Sequence, residues 1–582
     1  MKFKTLKRTL IFITFLSLLS CRQGTNQETN NVLNLALTTH IDSVDPARSY
    51  DASSHKIVYN TYEQLYQYHY LKRPLEIIPL LADGMPKLDR TKKIVTIKIK
   101  KNIKYHPNNF FDNKSRFLKS KDFETQIKRL FFTETRSTGG WILEDKLLGV
   151  SEFKEKVGNS LEKMLSTKIK GVLTPDDHTL ILKLNNPYPQ LNFILAMSFI
   201  SPVPEEVILK LNNNLENHIV GTGPYQLDMW TKNSKIKLKR FKGYHENQYP
   251  QYGDRDAYQN GLLADAGKKI PFIDRINFTI IKESQTRWLN FLSKKIDMLV
   301  LPKDNFSSVI DKKGKLKISL KSKNIQGQLV SSSTYYWFAF NMNDPLLGGN
   351  KFLRKAISLA INRDRFIQIF TNNTGLKANS IFPPGVYGHN SSASKIEYNL
   401  EKARNFLKLS GHPNGQGLPE LTFDTRNPST TARQEGEFIR SELSKIGIRV
   451  KINTNNFPTF LKKARNGELQ FWKGGWIMDY LDPENSLQLL YSKNSPPGPN
   501  SSSYMNPKFD QLFDIVNSMR EGEEKLKALS KLENIIFSDL PWIMSHYERY
   551  YILHHQKVEN FRFSDSIPNL YKYIKLNPKH SN

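Results

Sequence analysis

The sequence contains very little cysteine, with Cys21 as its one example in 582 residues. A lone cysteine forms no intrachain disulfide and supports no cysteine-based zinc or iron–sulfur site. Long apolar runs are absent after the N-terminus, which excludes a membrane protein with several spans. Hydrophobic residues make up 38% and charged residues 24% of the chain. It is therefore too apolar to be disordered and long enough for roughly three domains.

Motifs of common enzymes and nucleotide-binding proteins are also missing. The chain has no P-loop, no HExxH zinc motif, no GxSxG elbow and no EF-hand loop. The glycine pair in residues 221–225 precedes a proline and a tyrosine rather than a helix, so it indicates a turn. His546, His554 and His555 have no carboxylate at ligand spacing, and we interpret them as strand or surface histidines. The sequence therefore predicts no catalytic residue, no metal site and no cofactor.

The N-terminus predicts an exported protein. Residues 1–20 have the pattern of a signal peptide, with a basic start, an apolar stretch at 10–19 and Ser20 before Cys21. The run Leu18-Leu19-Ser20-Cys21 resembles a bacterial lipobox, after which a diacyl-modified cysteine anchors the mature chain to a membrane. An ordinary signal peptide that contains a cysteine is the alternative. We favour the lipoprotein, extracytoplasmic in the cell envelope or periplasm, because the chain's one cysteine stands where that chemistry requires it.

Positive charge dominates the composition, with 85 Lys and Arg against 55 Asp and Glu and a formal net charge of +30. Such an excess suggests nucleic-acid binding or an anionic membrane surface. In segments such as 235–240, however, basic residues alternate with apolar ones, which is typical of a strand with one face in water. We therefore interpret the charge as a solvated sheet face and expect no nucleic-acid partner, although attraction to anionic lipid headgroups remains compatible with it.

Strand and helix patterns alternate along the chain and predict an α/β or α+β protein with mixed sheets. The polar segment 249–269 is interpreted as a surface loop. The predicted strands are 32–37, 94–99, 168–172, 179–184, 236–241, 276–281, 335–341 and 448–452. The predicted helices are 54–66, 123–132, 285–294, 352–370, 399–410, 431–446, 509–518 and 523–538.

Residues 473–483, with the sequence KGGWIMDYLDP, form the most informative cluster of chemical groups. Two glycines allow close approach of a backbone, the tryptophan offers an apolar wall, and Lys473 and Asp479 carry opposite charges. A zwitterionic ligand needs such an arrangement, because its ammonium and carboxylate each require a charged partner once buried. The alternative is a loop with a buried tryptophan and a helix cap at Asp482-Pro483, and the residues alone do not choose between the two.

Several segments resemble, in order, the large extracellular solute-binding proteins of ABC importers, of the oligopeptide- and dipeptide-binding type (family 5). The resemblance covers residues 33–571, nearly the whole mature chain. The segments that carry it include Ser43-Val44-Asp45-Pro46, Asn60-Thr61-Tyr62-Glu63-Gln64-Leu65, Val220-Gly221-Thr222-Gly223-Pro224-Tyr225, Leu353-Arg354-Lys355-Ala356-Ile357, Asp479-Tyr480-Leu481-Asp482-Pro483 and Asn506-Pro507-Lys508-Phe509-Asp510.

The resemblance implies a two-lobed periplasmic-binding-protein fold of mixed α/β class, with two crossing hinge strands and an extra subdomain on the first lobe. Ligand would be enclosed between the lobes and delivered to a membrane permease driven by an ATPase. We expect a monomer without enzyme activity. The expected division is a signal peptide at 1–20, a lipid-anchored tether at 21–31, lobe I at 32–68, 172–283 and 547–582, subdomain II at 69–171, and lobe III at 284–546.

The resemblance also implies roles for individual residues. In peptide-binding members, an aspartate in a W-x-x-D-Y motif pairs with the α-ammonium of the peptide, and Asp479 stands at that place after Trp476. Lys473 stands where a basic residue can meet the ligand carboxylate. The backbone of one short segment would pair with an extended peptide as an added strand, opposite a segment of the first lobe. These two segments are Gly475-Trp476-Ile477 and Ser54-His55-Lys56.

Short peptides are therefore the expected ligands. A receptor of the same fold for a metal chelate, a sugar or another solute is the first alternative. A surface adhesin or chaperone that uses the positive charge is another alternative. An envelope hydrolase is the alternative that the missing nucleophile–base motif makes weakest.

Overall fold

The computed structural model describes residues 31–580, except residues 113, 246 and 395. The predicted signal peptide, Cys21 and all but the last residue of the predicted tether lie outside the described residues. Across the described part of the chain, no helix has the length and apolarity needed to cross a bilayer. Strands and helices alternate, in agreement with the mixed α/β class expected from the sequence.

The strands are numbered in chain order. They are β1 (Val32–Leu37), β2 (Tyr66–Tyr68), β3 (Ile77–Pro79), β4 (Lys87–Leu88), β5 (Ile94–Lys98), β6 (Val172–Asp176), β7 (Thr179–Lys183), β8 (Tyr225–Thr231), β9 (Lys235–Arg240), β10 (Arg275–Ile280), β11 (Met298–Val300), β12 (Ile325–Phe340), β13 (Leu376–Lys377), β14 (Leu421–Thr425), β15 (Val450–Thr454), β16 (Phe471–Ile477), β17 (Trp542–His555), β18 (Val558–Glu559) and β19 (Lys575–Leu576).

The α-helices are numbered in the same way. They are α1 (Ala52–Thr61), α2 (Ser120–Phe131), α3 (Val150–Val157), α4 (Leu161–Ser166), α5 (Leu191–Ile194), α6 (Glu205–Lys210), α7 (Arg255–Gln259), α8 (Ser284–Leu292), α9 (Phe306–Val309), α10 (Ile318–Lys321), α11 (Lys351–Ala360), α12 (Arg363–Thr371), α13 (Leu400–Leu409), α14 (Thr430–Ser444), α15 (Phe457–Asn466), α16 (Pro483–Leu487), α17 (Pro507–Ser518) and α18 (Glu523–Asp539).

The first lobe contains two four-stranded sheets. One has the order β1-β10-β9-β8, in which β1 and β10 are parallel and the other neighbours are antiparallel. In β9, Ile236 and Leu238 are buried while Lys235 is exposed, which confirms that this basic segment is a strand with one face in water. The other sheet has the order β4-β5-β7-β6 and shares a core with α2, forming a subdomain of this lobe.

The second lobe is built on a larger sheet of order β11-β17-β12-β16-β14-β15, with β13 added to β17. The long antiparallel strands β12 and β17 pair along most of their length. At one end, Val330 and Ile552 lie in the core of the first lobe, and at the other end Tyr335 and Tyr547 lie in the core of the second. These two strands therefore cross between the lobes. A register shift between residues 331 and 335 of β12 lies at the crossing.

Two of the segments that carry the resemblance have clear structural roles. Arg129 is fully buried and donates to both carboxylate oxygens of Asp45, at 3.0 and 2.6 Å. Gly221 and Gly223 pass beside the carbonyl of Thr61, and a Cβ at either glycine would come within 2.8 Å of that oxygen. The Gly223 amide donates to the same oxygen at 3.0 Å. The glycine pair thus allows two backbones to pack closely and does not form a phosphate loop.

The helix predicted at 352–370 is wrong as a single element, because the structure divides it into α11 and α12. The side chain of Asn362 accepts a hydrogen bond from the Arg365 amide at 2.9 Å and so begins a second helix. The helix predicted at 54–66 ends at Thr61, and the strand predicted at 168–172 is displaced, since β6 begins at Val172.

The interpretation of residues 249–269 as a surface loop is wrong in two respects. The segment contains the short helix α7, which begins after Asp254 accepts a hydrogen bond from the Ala257 amide at 2.9 Å. Tyr249 is fully buried, where its ring meets those of Tyr70 and Tyr573 edge-on. The polar composition of the segment hides this single aromatic anchor. The domain boundaries predicted from the sequence stay a prediction.

Candidate functional site

The strand β16 has one edge that is only partly paired. All of its residues pair with β12, whereas Phe471 and Trp472 alone also pair with β14. Among the described residues, no strand pairs with the second edge of residues 473–477. Backbone groups on an open strand edge can pair with another extended chain, so this edge can accept a short peptide as an added strand.

The two glycines of β16 lie against aromatic rings of β12. A Cβ at Gly474 would lie 2.5 Å from the Trp337 ring, and one at Gly475 would lie 2.6 Å from the Tyr336 ring. The sequence suggested that these glycines let a ligand approach closely. The structure shows that they make room for the aromatic side chains of the neighbouring strand β12.

The turn after β16 is organised by a buried asparagine, Asn485. Its Oδ1 accepts hydrogen bonds from Trp476 Nε1 at 2.9 Å and from the Asp479 amide at 3.1 Å. Its Nδ2 donates to Asp479 Oδ2 at 3.1 Å. Trp476 and Asp479 are therefore oriented by one side chain at the start of α16. Sequence reasoning missed Asn485 because it lies beyond the motif, although an asparagine two residues after Asp-Pro was a visible signal.

Asp479 is a carboxylate without a cationic partner. Besides Asn485, its Oδ1 accepts a hydrogen bond from the Tyr50 hydroxyl at 2.5 Å. No basic side chain in the described part of the chain forms an ion pair with Asp479. Burial raises the pKa of Asp479, while the hydrogen bonds from Tyr50 and Asn485 lower it. A desolvated carboxylate with acceptor positions to spare is suited to an ammonium group.

Aromatic side chains of the first lobe form the wall opposite Asp479. The Tyr50 ring lies 5.8 Å from Phe199 and 6.1 Å from His55, and His55 lies 5.5 Å from Tyr59. His55 is held in place by a contact of 3.1 Å between its Nε2 and the Ser49 carbonyl. Burial is the main cause that lowers the pKa of His55, so the ring adds no positive charge to this wall at neutral pH.

The predicted segment Ser54-His55-Lys56 lies on α1, in the first lobe. The Ser54 side chain is buried, and its hydroxyl accepts hydrogen bonds from the amides of Asp42 and Ser43 at 3.1 and 3.4 Å. This side chain supports a loop, whereas His55 lies beside Tyr50. Burial lowers the pKa of Lys56, which forms no ion pair among the described residues. The structure thus brings His55 near Asp479 through Tyr50 and turns Ser54 away.

Lys473 already has a charged partner. Its Nζ lies 2.5 Å from Glu435 Oε1, and both side chains are largely buried. The ammonium also lies over two rings, 4.8 Å from the centre of Tyr336 and 5.2 Å from that of Phe366. Burial and the charge of Lys473 lower the pKa of the neighbouring His546 to about 3, so this histidine is neutral. The charge of Lys473 is therefore balanced inside the second lobe.

A cavity of about 280 Å³ lies beside the open edge of β16 and contains an arginine that the sequence analysis missed. Arg426 lies over the rings of Phe457 and Phe460, at 5.5 and 5.9 Å. Its Nη1 lies 3.3 Å from the position that a Cβ would take at Gly475. Burial lowers the pKa of Arg426, which forms no ion pair within the described residues. Arg426 lies one residue after β14, a strand that was not predicted from the sequence, so no sequence signal pointed to it.

Arg426 and Asp479, which both lack an ion-pair partner among the described residues, lie near the same strand, β16. Arg426 approaches β16 at Gly475, and Asp479 lies in the turn that follows the strand. Residues 475–477 of the open backbone edge lie between these two positions. The arrangement can hold an extended zwitterion, with its carboxylate at the guanidinium and its ammonium at the carboxylate.

Comparison with known proteins identifies the family of the chain. Residues 76–497 match the family described as bacterial extracellular solute-binding proteins, family 5, middle region. The chain belongs to this family. As a family 5 solute-binding protein it binds a solute without transforming it, which confirms the prediction that it is not an enzyme.

The relatives of this family 5 protein include binding proteins with different solutes in their names. The dipeptide-binding protein of Escherichia coli K12 is 25% identical over 474 residues, which cover 80% of each chain. Heme-binding protein A of Haemophilus influenzae is 26% identical over 385 residues, which cover 64% of each chain.

Solved structures confirm the fold of this family 5 protein. The ABC transporter-associated periplasmic binding protein DppA of Helicobacter pylori, in complex with the peptide STSA, is 25% identical and superposes with a TM-score of 0.71. The superposition covers 94% of this chain and 98% of that one. The predicted two-lobed periplasmic-binding-protein fold is therefore confirmed, whereas the roles of individual cleft residues stay predictions.

Proposed function

We propose that this family 5 protein binds short peptides between its two lobes and serves as the substrate-binding component of an ABC importer. The single observation that carries the proposal is Asp479, a desolvated carboxylate that receives hydrogen bonds from both lobes but no cation. Burying a charge without a counter-charge is unfavourable, and the α-ammonium of a peptide supplies that counter-charge.

The backbone and the terminal carboxylate of a peptide would contact groups on or beside β16. Its backbone pairs with the open edge at Gly475-Trp476-Ile477, an interaction that does not depend on side chains. Its terminal carboxylate pairs with the Arg426 guanidinium, which offers a planar pair of donors. Lys473, the cation expected from the resemblance, supports this site through Glu435 and the ring of Tyr336. On this basis the ligand is an extended, zwitterionic peptide.

The same observations weigh against the non-peptide alternatives. A heme carries carboxylates and no ammonium, so it would leave Asp479 without a counter-charge. A sugar, or a metal chelate that carries no ammonium, would leave Asp479 unpaired in the same way. A metal ion bound directly by the protein would need several donor side chains together. Among residues 31–580, apart from the three gaps, no three His, Cys, Asp or Glu side chains come together in that way. An amine-bearing solute is the class that the charges of the cleft support.

The proposal includes the place of the protein in the cell. Cleavage before Cys21 and acylation of its thiol would anchor the mature chain to a membrane, with residues 21–31 as a tether. The two lobes, with the subdomain at 69–171, would then face the extracytoplasmic space and present the loaded cleft to a permease and its ATPase. We propose a monomer as the working form.

Native mass spectrometry on protein purified gently from its own host tests the proposal. The bound solute is released by denaturation and identified. We expect a set of short peptides with free amino termini, and the Asp479→Asn variant purified in parallel should lose them. A heme, a sugar or a metal chelate in the wild-type protein would overturn the peptide assignment, as would peptides retained equally by the variant.

A further inference from the structure

The segment that follows Asp479 is embedded in the opposite lobe. Tyr480 is 2% exposed, and its side chain belongs to the core cluster of the first-lobe subdomain. Its ring stacks on Phe193 with centres 6.2 Å apart and planes 19° apart. Met478, two residues earlier, belongs to the core of the second lobe. Two nearly adjacent residues thus lie in the cores of different lobes.

A buried carboxylate joins the lobes at the same place. Glu484 Oε2 accepts a hydrogen bond from the Tyr480 hydroxyl at 2.6 Å and another from the Tyr188 hydroxyl at 3.0 Å. Tyr188 precedes α5 of the first lobe, and Gln190, two residues later, donates to Asp482 Oδ1 at 3.3 Å. Glu484 forms no ion pair among the described residues. Burial raises its pKa, and the nearby positive charge of Lys146 and these two hydroxyl groups stabilise its charged form.

We propose that Tyr188 is a positioning residue for the ammonium subsite. By donating to Glu484, it holds the segment 479–485 against the first lobe, and this segment carries both Asp479 and the asparagine that orients it. Closure of the lobes and placement of the Asp479 carboxylate are then one event. The effect of Tyr188 on ligand affinity depends on the proposed function, whereas its effect on the distance between the lobes does not.

The physical reason lies in what Glu484 loses when the lobes separate. Tyr480 can remain bonded to Glu484 because both belong to one segment, but Tyr188 moves away with the first lobe. A hydrogen bond to a charged, desolvated group is stronger than one between neutral groups. Removing the Tyr188 hydroxyl should therefore shift the population toward separated lobes and speed ligand release roughly 10- to 100-fold.

The Tyr188→Phe variant removes only the hydroxyl. Its ring stays, including its contact with Lys146, whose Nζ lies 4.9 Å from the ring centre. Tyr491→Phe is the matched control, because the Tyr491 hydroxyl also donates to a carboxylate, Asp514, at 2.7 Å, but within the second lobe. Both variants are made in the full chain, and equal thermal unfolding temperatures would show that neither has lost its fold.

The distance between the lobes is measured by double electron–electron resonance between spin labels at Lys163→Cys and Lys508→Cys in a Cys21→Ser background. Both lysines are exposed and lie in different lobes. We expect Tyr188→Phe to add a population at longer distance, while Tyr491→Phe retains the wild-type distribution. Tyr188→Phe with an unchanged distance distribution would overturn the proposal. Tyr188→Phe should have a smaller effect in a Glu484→Gln background, where the Tyr188 hydroxyl can donate only to a neutral amide oxygen, and a full additive effect there would also overturn it.

Release of tri-alanine is then followed by stopped flow. A longer distance together with faster release supports the positioning role. A longer distance with an unchanged release rate overturns it, because closure and the subsite would then be independent. If wild-type protein does not bind peptides at all, the proposed function fails, and the distance measurement still decides whether Tyr188 holds the lobes together.

Discussion

The Tyr50 hydroxyl lies 2.5 Å from Oδ1 of Asp479, and the two residues are 429 positions apart in the sequence. Tyr50 precedes α1 in the first lobe, and Asp479 follows β16 in the second. Although Tyr50 is 43% exposed, its hydroxyl reaches across the cleft. The surroundings of the Asp479 carboxylate are therefore completed by the lobe that does not contain it, so we expect its affinity for an ammonium to depend on lobe closure.

Asp479→Asn removes the negative charge and retains the size of the side chain. We expect it to weaken tri-alanine binding by about 2–5 kcal/mol, because a buried ammonium would then lack a counter-charge. Isothermal titration calorimetry measures the difference. Asp514→Asn is the control, since that carboxylate also accepts a tyrosine hydroxyl but lies away from the cleft. Equal affinities of Asp479→Asn and wild type would remove Asp479 from the ligand site.

Peptide binding should release protons in moderately acidic solution. Burial raises the pKa of Asp479. In part of the free protein this carboxyl group is therefore still protonated at a pH above its ordinary pKa. A bound ammonium favours the charged form and lowers that pKa, which expels the proton. Affinity should therefore fall as the pH drops through the raised pKa.

Calorimetry in two buffers of different ionisation enthalpy measures this proton release. The weaker peptide binding at low pH does not come from unfolding caused by protonation of Asp479. A raised carboxyl pKa means that the folded protein binds the proton more tightly than the unfolded chain, so protonation of Asp479 favours the folded state. The Asp479→Asn variant should release fewer protons than wild type. An identical proton balance in the two proteins would contradict the prediction.

Arg426→Gln should impair recognition of the terminal carboxylate of a peptide. We expect a loss of about 1.5–3 kcal/mol for tri-alanine, the range for hydrogen bonds to charged groups. Tri-alanine amide, which lacks that carboxylate, should bind wild type and Arg426→Gln equally. Arg404→Gln serves as control, because Arg404 is exposed and donates to the Lys445 carbonyl on the surface. A similar loss for both peptides would place the carboxylate elsewhere.

Lys473→Gln should act on stability more than on ligand recognition. It leaves the Glu435 carboxylate largely buried without its ion-pair partner, which we expect to lower the free energy of unfolding by about 3–5 kcal/mol. Adding Glu435→Gln should restore most of that loss, as measured by urea denaturation. The double variant should still distinguish free from amidated tri-alanine. If it no longer does, Lys473 contacts the ligand as the family resemblance implies.

Gly221→Ala should destabilise the first lobe without touching the cleft. The added Cβ would lie 2.0 Å from the Thr61 carbonyl oxygen, and backbone atoms cannot move aside cheaply. We expect a loss of about 1–3 kcal/mol in urea denaturation. Gly349→Ala is the matched control, since its nearest neighbour beyond adjacent residues, the Pro345 carbonyl oxygen, is 3.9 Å away. Equal stability of the two variants would contradict this explanation of the motif.

Local patterns in the sequence were sufficient for much of the fold. The strand at 32–37 and the helices near 399–410 and 523–538 were predicted within a residue or two, because each has one apolar face and a clear end. The division of 352–370 was not predicted, since the apolar spacing continues through the break and only the capping side chain of Asn362 reveals it.

The candidate site was predictable only where the motif itself lies. Asp479 and Trp476 belong to one short segment, whose chemistry is visible in the sequence. The partners Tyr50 and Arg426 come from distant segments, and no spacing rule connects them to the motif. For the same reason the ion pair of Lys473 with Glu435, on α14, could not be foreseen from composition or periodicity.

The open edge of β16 has a consequence for the solubility of the protein. An exposed strand edge usually recruits further chains and starts aggregation, and proteins protect such edges with charges, bulges or covering loops. Here the first lobe provides the cover, because Tyr50 and Tyr188 hold it against the turn beyond the edge. If the proposed function holds, only a chain short enough to fit inside the closed molecule could add to the sheet. Enclosure would then limit the sheet to a single ligand, and we expect it to keep one molecule of the protein from pairing with another at this edge.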